Sequence, residues 1–356
     1  MAEQGVDVLL LSVGPDLPWL TGYEAMPLER LTMLVVPRDD DATLVVPQLE
    51  APRVLERPDV FALRPWAETE DPVAIVAGLC GRVATAAIGD RTWARFLVDL
   101  QATMPDAVFG KASPIVGPLR AVKDEAEVVA LGRAGAAADR VAAELQGGDV
   151  ALIGRTEAEV SADLGRRLLA QGHQRVNFAI VAAGPNAASP HHEAGRRVIE
   201  AGDVVLCDFG GTMVTEGGAG YCSDITRCVH VGPPSSEFAE LYQILQQAQA
   251  AAVDAATVGT PCEAVDAAAR EVIADAGHGS HFIHRTGHGI GIEEHEDPYI
   301  VEGNTTVLTA GHAFSIEPGI YVPGRWGARL EDIVVASPDG PQSLNNVNHD
   351  LVIVDA

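Results

Sequence analysis

Residues 204–210 read VVLCDFG, and residues 220–227 read GYCSDITR. In each, a carboxylate stands where a strand-like apolar run should continue. Asp208 ends the first run, and Asp224 falls inside the second. Two later stretches repeat the anomaly. FSIEPGIY (314–321) sets Glu317 between Ile316 and Pro318, and RLEDIVV (329–335) sets Glu331 ahead of Ile333, Val334 and Val335. A buried carboxylate is costly unless a cation or metal faces it. Four of them, with few Lys and Arg nearby, point to metal.

A fifth donor comes from HRTGHGIG (284–291), where His288 sits among glycines that let backbone approach closely. Four carboxylates and one neutral imidazole form a hard, mostly oxygen donor set. It suits Mn, Co, Fe or Zn better than a thiolate site would. Five ligands exceed what one catalytic ion with an open position takes, so two ions sharing carboxylates are expected. Such a pair would lower the pKa of a bridging water and polarise a scissile carbonyl. Taken singly, each residue has a plainer reading. Asp208 and Asp224 suit turns or strand ends, and Glu331 suits an ion pair with Arg329. Strand alternation turns the neighbouring Asp332 to the opposite face.

The acids lie among helices and strands. Asp124 with Glu127, and Thr156 with Glu159, have capping-box spacing; they predict helices to about Gln146 and Gly172. Ser235 or Ser236 caps a helix over 237–257, and Pro261 opens another at its first position. Strands are predicted over 176–183, 204–209, 221–230, 313–321 and 329–336. Helices segregated from a mainly antiparallel sheet make an α+β domain. The first third has short apolar runs at 6–13, 31–36 and 43–46, with helical cover from 75–83 or 94–100, an α/β pattern. The stretch GKASPIVGP (110–118) reads as a linker, which places the domain boundary near residue 122.

At 356 residues, two domains are the first expectation. Asp plus Glu number 50 against 24 Lys plus Arg, a net charge of -26. Such a surface repels phosphate backbones and anionic lipid, which excludes nucleic-acid and membrane-surface roles. Five cysteines with no CxxC pair argue against a disulfide framework. The apolar run Val8–Val13 follows no basic segment and is too short for a signal core. A cytoplasmic location is the expectation.

From about Pro118 onward the chain resembles the M24 metallopeptidases, specifically their Xaa-Pro dipeptidase and aminopeptidase P branch. The resemblance rests on GPNAASPHH (184–192), AGDVVLCDFG (201–210), GYCSDITR (220–227), HRTGHGIGIEEHEDPYI (284–300), FSIEPGIYVPGRWG (314–327) and ARLEDIVV (328–335). Six such stretches in the family's order are highly specific. VDVLLLS (6–12) and WLTGYEA (19–25) are similar to the start of that family's N-terminal domain. The resemblance implies a pita-bread α+β catalytic domain over 123–356. A smaller α/β creatinase/prolidase-like domain over 1–122 would precede it.

The resemblance also implies roles. Asp208 would bind one metal with both oxygens, Asp224 and Glu331 would bridge the pair, and His288 and Glu317 would complete the second ion. His295 would hydrogen-bond the substrate carbonyl and the tetrahedral intermediate. His191 would position substrate or move a proton, with His192 structural or solvated. Glu317 would take the proton of the attacking water, and Arg329 would orient a bridging carboxylate or contact substrate. Two divalent ions, Mn first and Co, Zn or Fe as alternatives, a small peptide substrate and a homodimer belong to the same expectation.

Three features depart from the family pattern. Asp208 and Asp224 lie sixteen positions apart, a spacing lengthened within the glycine-rich TMVTEGGAG (212–220). The chain opens directly at its first strand, where the family commonly has a helix. Several dipeptidases of the family carry an arginine four residues after the second histidine, to hold the proline carboxylate. Tyr299 stands there as a candidate substrate-binding residue, leaving Arg325 or Arg329 to substitute as the cation. Cys222 reads as a small buried hydrophobe, and His278, His281 and His284 as loop or supporting groups. Tyr321 and Trp326 suit either an apolar proline pocket or ordinary packing.

The leading expectation is hydrolysis of the bond to proline, whose nitrogen carries no N–H. The alternative is a non-peptidase enzyme on the same scaffold: a creatinase-like amidinohydrolase, an ectoine-derivative hydrolase or a dimethylsulfoniopropionate lyase. Creatinase-type members lack the metal ligands, and here all five positions are filled. A non-catalytic binding protein is the third reading, and the intact ligands count against it.

Overall fold

The computed structural model describes residues 1–355. The chain divides into two compact units, one of residues 1–120 with the segment 215–220, the other of the remaining residues.

The first unit is built on a six-stranded sheet. Its strand order is Ala62–Trp66, Thr43–Pro47, Met33–Pro37, Val8–Leu11, Thr85–Ile88, Val108–Lys111. Both faces are covered, which explains the unbroken apolar run at its centre. Val8 and Leu10 pack with Val76, Phe96 and Leu100. Leu9 and Leu11 pack with Ile115 and Val116 on the other side.

Ile115 and Val116 belong to a segment read above as a linker. Residues 113–121 are instead a helix with Pro118 inside it. Pro114 falls in the first turn, where no N–H is needed. Pro118 cannot donate to the carbonyl of Pro114, and Gln4 Nε2 donates to that oxygen at 2.9 Å instead. An outside amide thus replaces the missing helical bond.

The second unit has two sheets. One orders Val352–Val354, Ile225–Val231, Val204–Val214 and Arg175–Ala183, with Gly220–Cys222 paired to Val204–Val214. The other orders Glu296–Ile300, Gly287–Gly289, Ala313–Ile316, Asp332–Ser337 and Gly340–Ser343. Helices Glu125–Gln146 and Glu157–Ala170 bury Val141, Leu145 and Leu164 against Val205 and Val229. Helices Ser236–Ala255 and Cys262–Asp275 bury Leu241, Leu245 and Val265 against Phe314 and Val334. This is the pita-bread arrangement of an α+β domain.

The capping chemistry sets the helix starts. Both capping boxes close reciprocally, Asp124 with Glu127 and Thr156 with Glu159. Ser235 caps Ser236–Ala255 through the Phe238 N–H. Pro261 is the cap rather than the first helical residue, so that helix opens at Cys262.

Three strands predicted as continuous are interrupted. The 221–230 run breaks at Ser223–Asp224, the 313–321 run at Glu317–Pro318, and the 329–336 run at Leu330–Glu331. Each break holds one of the anomalous acids. There the backbone leaves the ladder and turns a carboxylate inward.

Candidate metal centre

Two sheets bring the acids together. Asp208 lies mid-strand, paired with Thr226 on one side and Ile180 on the other. Asp224 and Glu331 each stand just ahead of a strand, and an isolated bridge between Thr226 and Glu331 links the two sheets. Glu317 follows Ala313–Ile316, anchored by its N–H on Thr286 O at 2.7 Å.

His288 occupies the centre of the short strand Gly287–Gly289. A Cβ on Gly287 would lie 1.8 Å from Ser315 O, and one on Gly289 would lie 2.3 Å from Asp297 O. Only glycine admits such close neighbouring strands. The His288 N–H donates to Ser315 Oγ at 3.0 Å, and Ser315 Oγ donates to Glu317 Oε1 at 3.1 Å.

The five side chains converge on one cavity of about 550 Å³. His288 Nε2 stands 3.3 Å from Glu317 Oε1 and 3.8 Å from Asp224 Oδ2. Ligand atoms of Asp224, His288 and Glu331 lie within 4.8 Å of one another. Asp208 Oδ1, Asp224 Oδ1 and Glu331 Oε1 are buried with no hydrogen-bond partner among the described residues.

Crowded, dry carboxylates resist ionisation. Burial, then the Glu331, Asp208 and Glu317 charges, push Asp224 well above the usual range. Burial, then Glu317 and Asp208, do the same to Glu331. Glu317 is pushed up to about 7, chiefly by burial. Burial, then neighbouring His295, holds His288 well below the ordinary imidazole value, so the ring is neutral and ready to donate a lone pair. Orphaned oxygens and mutual repulsion are what bound divalent cations would satisfy. The donor set fits them.

Arg329 lines the cavity, yet its guanidinium is committed to protein. It reaches Asp208 Oδ2 at 2.5 Å, Tyr321 OH at 2.8 Å and Thr226 Oγ1 at 3.1 Å. It is 2% exposed; it orients Asp208 directly and bears on the Glu331 carboxylate only through the Thr226 hydroxyl. Tyr321 OH also meets His284 Nε2 at 2.9 Å. His284 thus lines the cavity, held to about 4 by burial and then Arg329. Of the two readings open for His284, loop or supporting group, the contact with Tyr321 agrees with the second.

His191 and His295 both line the cavity. The His295 ring meets His288 edge-on at 4.0 Å between centroids. His295 presents much of its surface to solvent, although protein atoms crowd the ring on its pocket side; this burial and the Arg285 charge lower its pKa. His192 is not free: its Nε2 meets the fully buried Glu157 at 2.8 Å. Glu157 also accepts from the Ala183 and Gly195 N–H groups and Asn186 Nδ2. It therefore fixes both ends of the segment presenting His191.

Tyr299 is not a lining residue; its ring carries the Arg285 guanidinium, Cζ 4.4 Å from the centroid, and Arg285 does line the cavity. Arg325 pairs with Glu237 at the surface. Tyr321 and Trp326 belong to the core, not to an apolar pocket wall. Cys222 is buried. Arg285 and Glu157 were missed: an arginine inside a recognised motif looks like a solvated flank, and an acid in a first helical turn looks like a dipole partner.

A buried cluster of carboxylates and one imidazole on a pita-bread scaffold defines a metallohydrolase centre. Residues 129–338 match metallopeptidase family M24, and residues 1–122 match the creatinase/prolidase N-terminal domain. The chain belongs to the M24 family and is a peptidase of that class. It is 44% identical to the probable dipeptidase PepE of Mycobacterium tuberculosis, over 99% of this chain and 93% of the relative. It is 36% identical to the Xaa-Pro dipeptidase of Lactobacillus delbrueckii, over 99% and 96%. The crystal structure of dipeptidase PepE from Mycobacterium ulcerans superposes with a TM-score of 0.92 at 44% identity, covering 100% of this chain and 95% of that one. No helix among the described residues is long and apolar enough to cross a membrane.

Proposed function

We propose that this peptidase hydrolyses the Xaa-Pro bond of dipeptides, using two divalent metal ions held by Asp208, Asp224, His288, Glu317 and Glu331. One observation carries the reading: four acids and one neutral imidazole face a single cavity, with three of their oxygens buried and unpartnered. Mn is the first choice of ion, and Co, Zn and Fe suit the same donors. When bound, such ions supply Lewis acidity and an acidified water.

The chain's own groups do the rest. Arg329 and Thr226 hold Asp208 and Glu331 in fixed rotamers. His295, whose ring meets that of His288, would donate to the scissile carbonyl oxygen. His191, which also lines the cavity, would pass a proton to the proline nitrogen, which has no N–H of its own. Glu317 is the group to move a proton from the attacking water. The dipeptide preference is supported by the names of the relatives above.

Metal analysis and Ala-Pro hydrolysis in one preparation test this reading. About two Mn per chain with rapid cleavage is the expected outcome. Metal without cleavage sinks the Xaa-Pro assignment and favours another hydrolase or lyase chemistry. Cleavage in exhaustively chelated protein sinks the metal roles.

A further inference from the structure

We infer that Arg285, steadied on the ring of Tyr299, is the specificity residue that receives the substrate's C-terminal carboxylate; this rests on the dipeptidase reading above. A free dipeptide always ends in a carboxylate, and beyond the metal ions such a group needs its own cation in this cavity. Five acids line it: Asp208, Asp224, Glu294, Glu317 and Glu331. Two guanidinium groups oppose them, Arg285 and Arg329.

Arg329 has four of its five N–H donors engaged by protein. It is buried and bonded to Asp208, Tyr321, Thr226 and the Pro190 carbonyl. Arg285 is different. It is half-buried, and among the described residues its guanidinium has no ion pair and no hydrogen bond. Its one specific contact is the face of Tyr299.

That contact leaves its donors unused. A cation–π contact engages the guanidinium's charge and pairs none of its N–H groups with a lone-pair acceptor. The N–H groups lie in the guanidinium plane, so the fork that matches a carboxylate stays available. The ring restricts the side chain beforehand, which reduces the ordering cost of binding. Arg285 lines the same cavity as Asp208, Asp224, His288, Glu317 and Glu331. A carboxylate bound there lies within one short substrate of the metal ligands. Longer peptides, which carry an amide at that place, lose the ion pair.

The test compares Ala-Pro with Ala-Pro-amide on Mn-loaded enzyme. Hydrogen bonds to charged groups give an expected preference for the free acid of about ten- to a hundredfold in kcat/KM. Arg285→Ala should remove that preference, with the loss on Ala-Pro carried mostly by KM and a much smaller loss on the amide. Arg285→Lys should keep part of it. Tyr299→Phe should retain it, and Tyr299→Leu should weaken it. Should Arg285→Ala fail to fold, Arg285→Gln reads the same ratio. Equal losses on both substrates, or no preference in the wild type, overturn the Arg285 assignment alone. An enzyme that cleaves neither substrate overturns the dipeptidase reading and this inference with it.

Discussion

Thr226 and Glu331 meet twice across the junction of the two catalytic sheets. The Glu331 N–H donates to Thr226 O at 3.3 Å, and Thr226 Oγ1 donates to Glu331 Oε2 at 2.6 Å. Arg329 Nε donates to the same hydroxyl, at 3.1 Å, and so fixes the direction of its proton. One oxygen of Glu331 is thereby spent, and Oε1 is left unpartnered.

Thr226→Val keeps the shape and removes the hydroxyl. Glu331 then loses its orienting donor, and Arg329 loses an acceptor. Changes to groups behind metal ligands cost about ten- to a hundredfold in affinity or activity. We expect Mn affinity to fall by that order with the fold intact. Isothermal titration against the wild type measures it, and an unchanged affinity removes Thr226 from the metal site.

Asp224→Asn should act in opposite directions with and without metal. Asp224 is raised by burial and by three acidic neighbours, so removing its charge relieves repulsion in the metal-free protein. The metal-free melting temperature should rise. The increment gained on adding Mn should shrink, since a ligand that binds only the native state stabilises it according to its affinity. Hydrolysis should fall by at least about a hundredfold. Thermal melts with EDTA and with Mn give both signs; a lower metal-free Tm contradicts the crowding of acids.

The acids were legible in the sequence because a charge in an apolar run conflicts with local patterning, and such conflicts mark sites. Their strand breaks were not. Periodicity carries 221–230 straight through Asp224, and only Pro318 hinted at the break beside Glu317. In the first unit the runs at 6–13, 31–36 and 43–46 were read as strands, while the interior strand Thr85–Ile88 and the edge strands Ala62–Trp66 and Val108–Lys111 have too little apolar alternation to stand out. Arg329 was legible as a partner of the site but not as the orienter of Asp208. That role depends on two segments 121 residues apart meeting.

Glu317 makes metal-free stability pH-dependent. Its folded pKa of about 7 lies above the ordinary value of 4.5. Between those values the folded state holds a proton that the unfolded state has released, so stability falls as pH rises through this window. Above about 7 both states have lost the proton, and the full penalty of about 3 kcal/mol applies. His284 and His312, held to about 4 by burial, titrate in the opposite sense. The informative quantity is therefore the difference between wild type and Glu317→Gln. In EDTA, the variant should gain stability relative to wild type from pH 5 to pH 8. Parallel curves would falsify the raised pKa.

Glu157 offers a test of positioning without touching a metal ligand. Its carboxylate is fully buried, which pushes its pKa up, but hydrogen bonds from Ala183, His192, Asn186 and Gly195 outweigh burial and leave it lowered. Glu157→Gln turns one acceptor oxygen into a donor that faces His192 or the Gly195 N–H. An unsatisfied buried partner costs about 1–3 kcal/mol, and here the loss falls on residues 183–195, which carry His191. We expect a lower Tm, faster amide exchange confined to that segment, and reduced kcat with Mn binding unchanged. His192→Ala should produce a weaker version, because the two backbone donors keep their acceptor. Faster exchange spread evenly over the unit would mean that Glu157 stabilises the fold generally and does not hold the His191 segment.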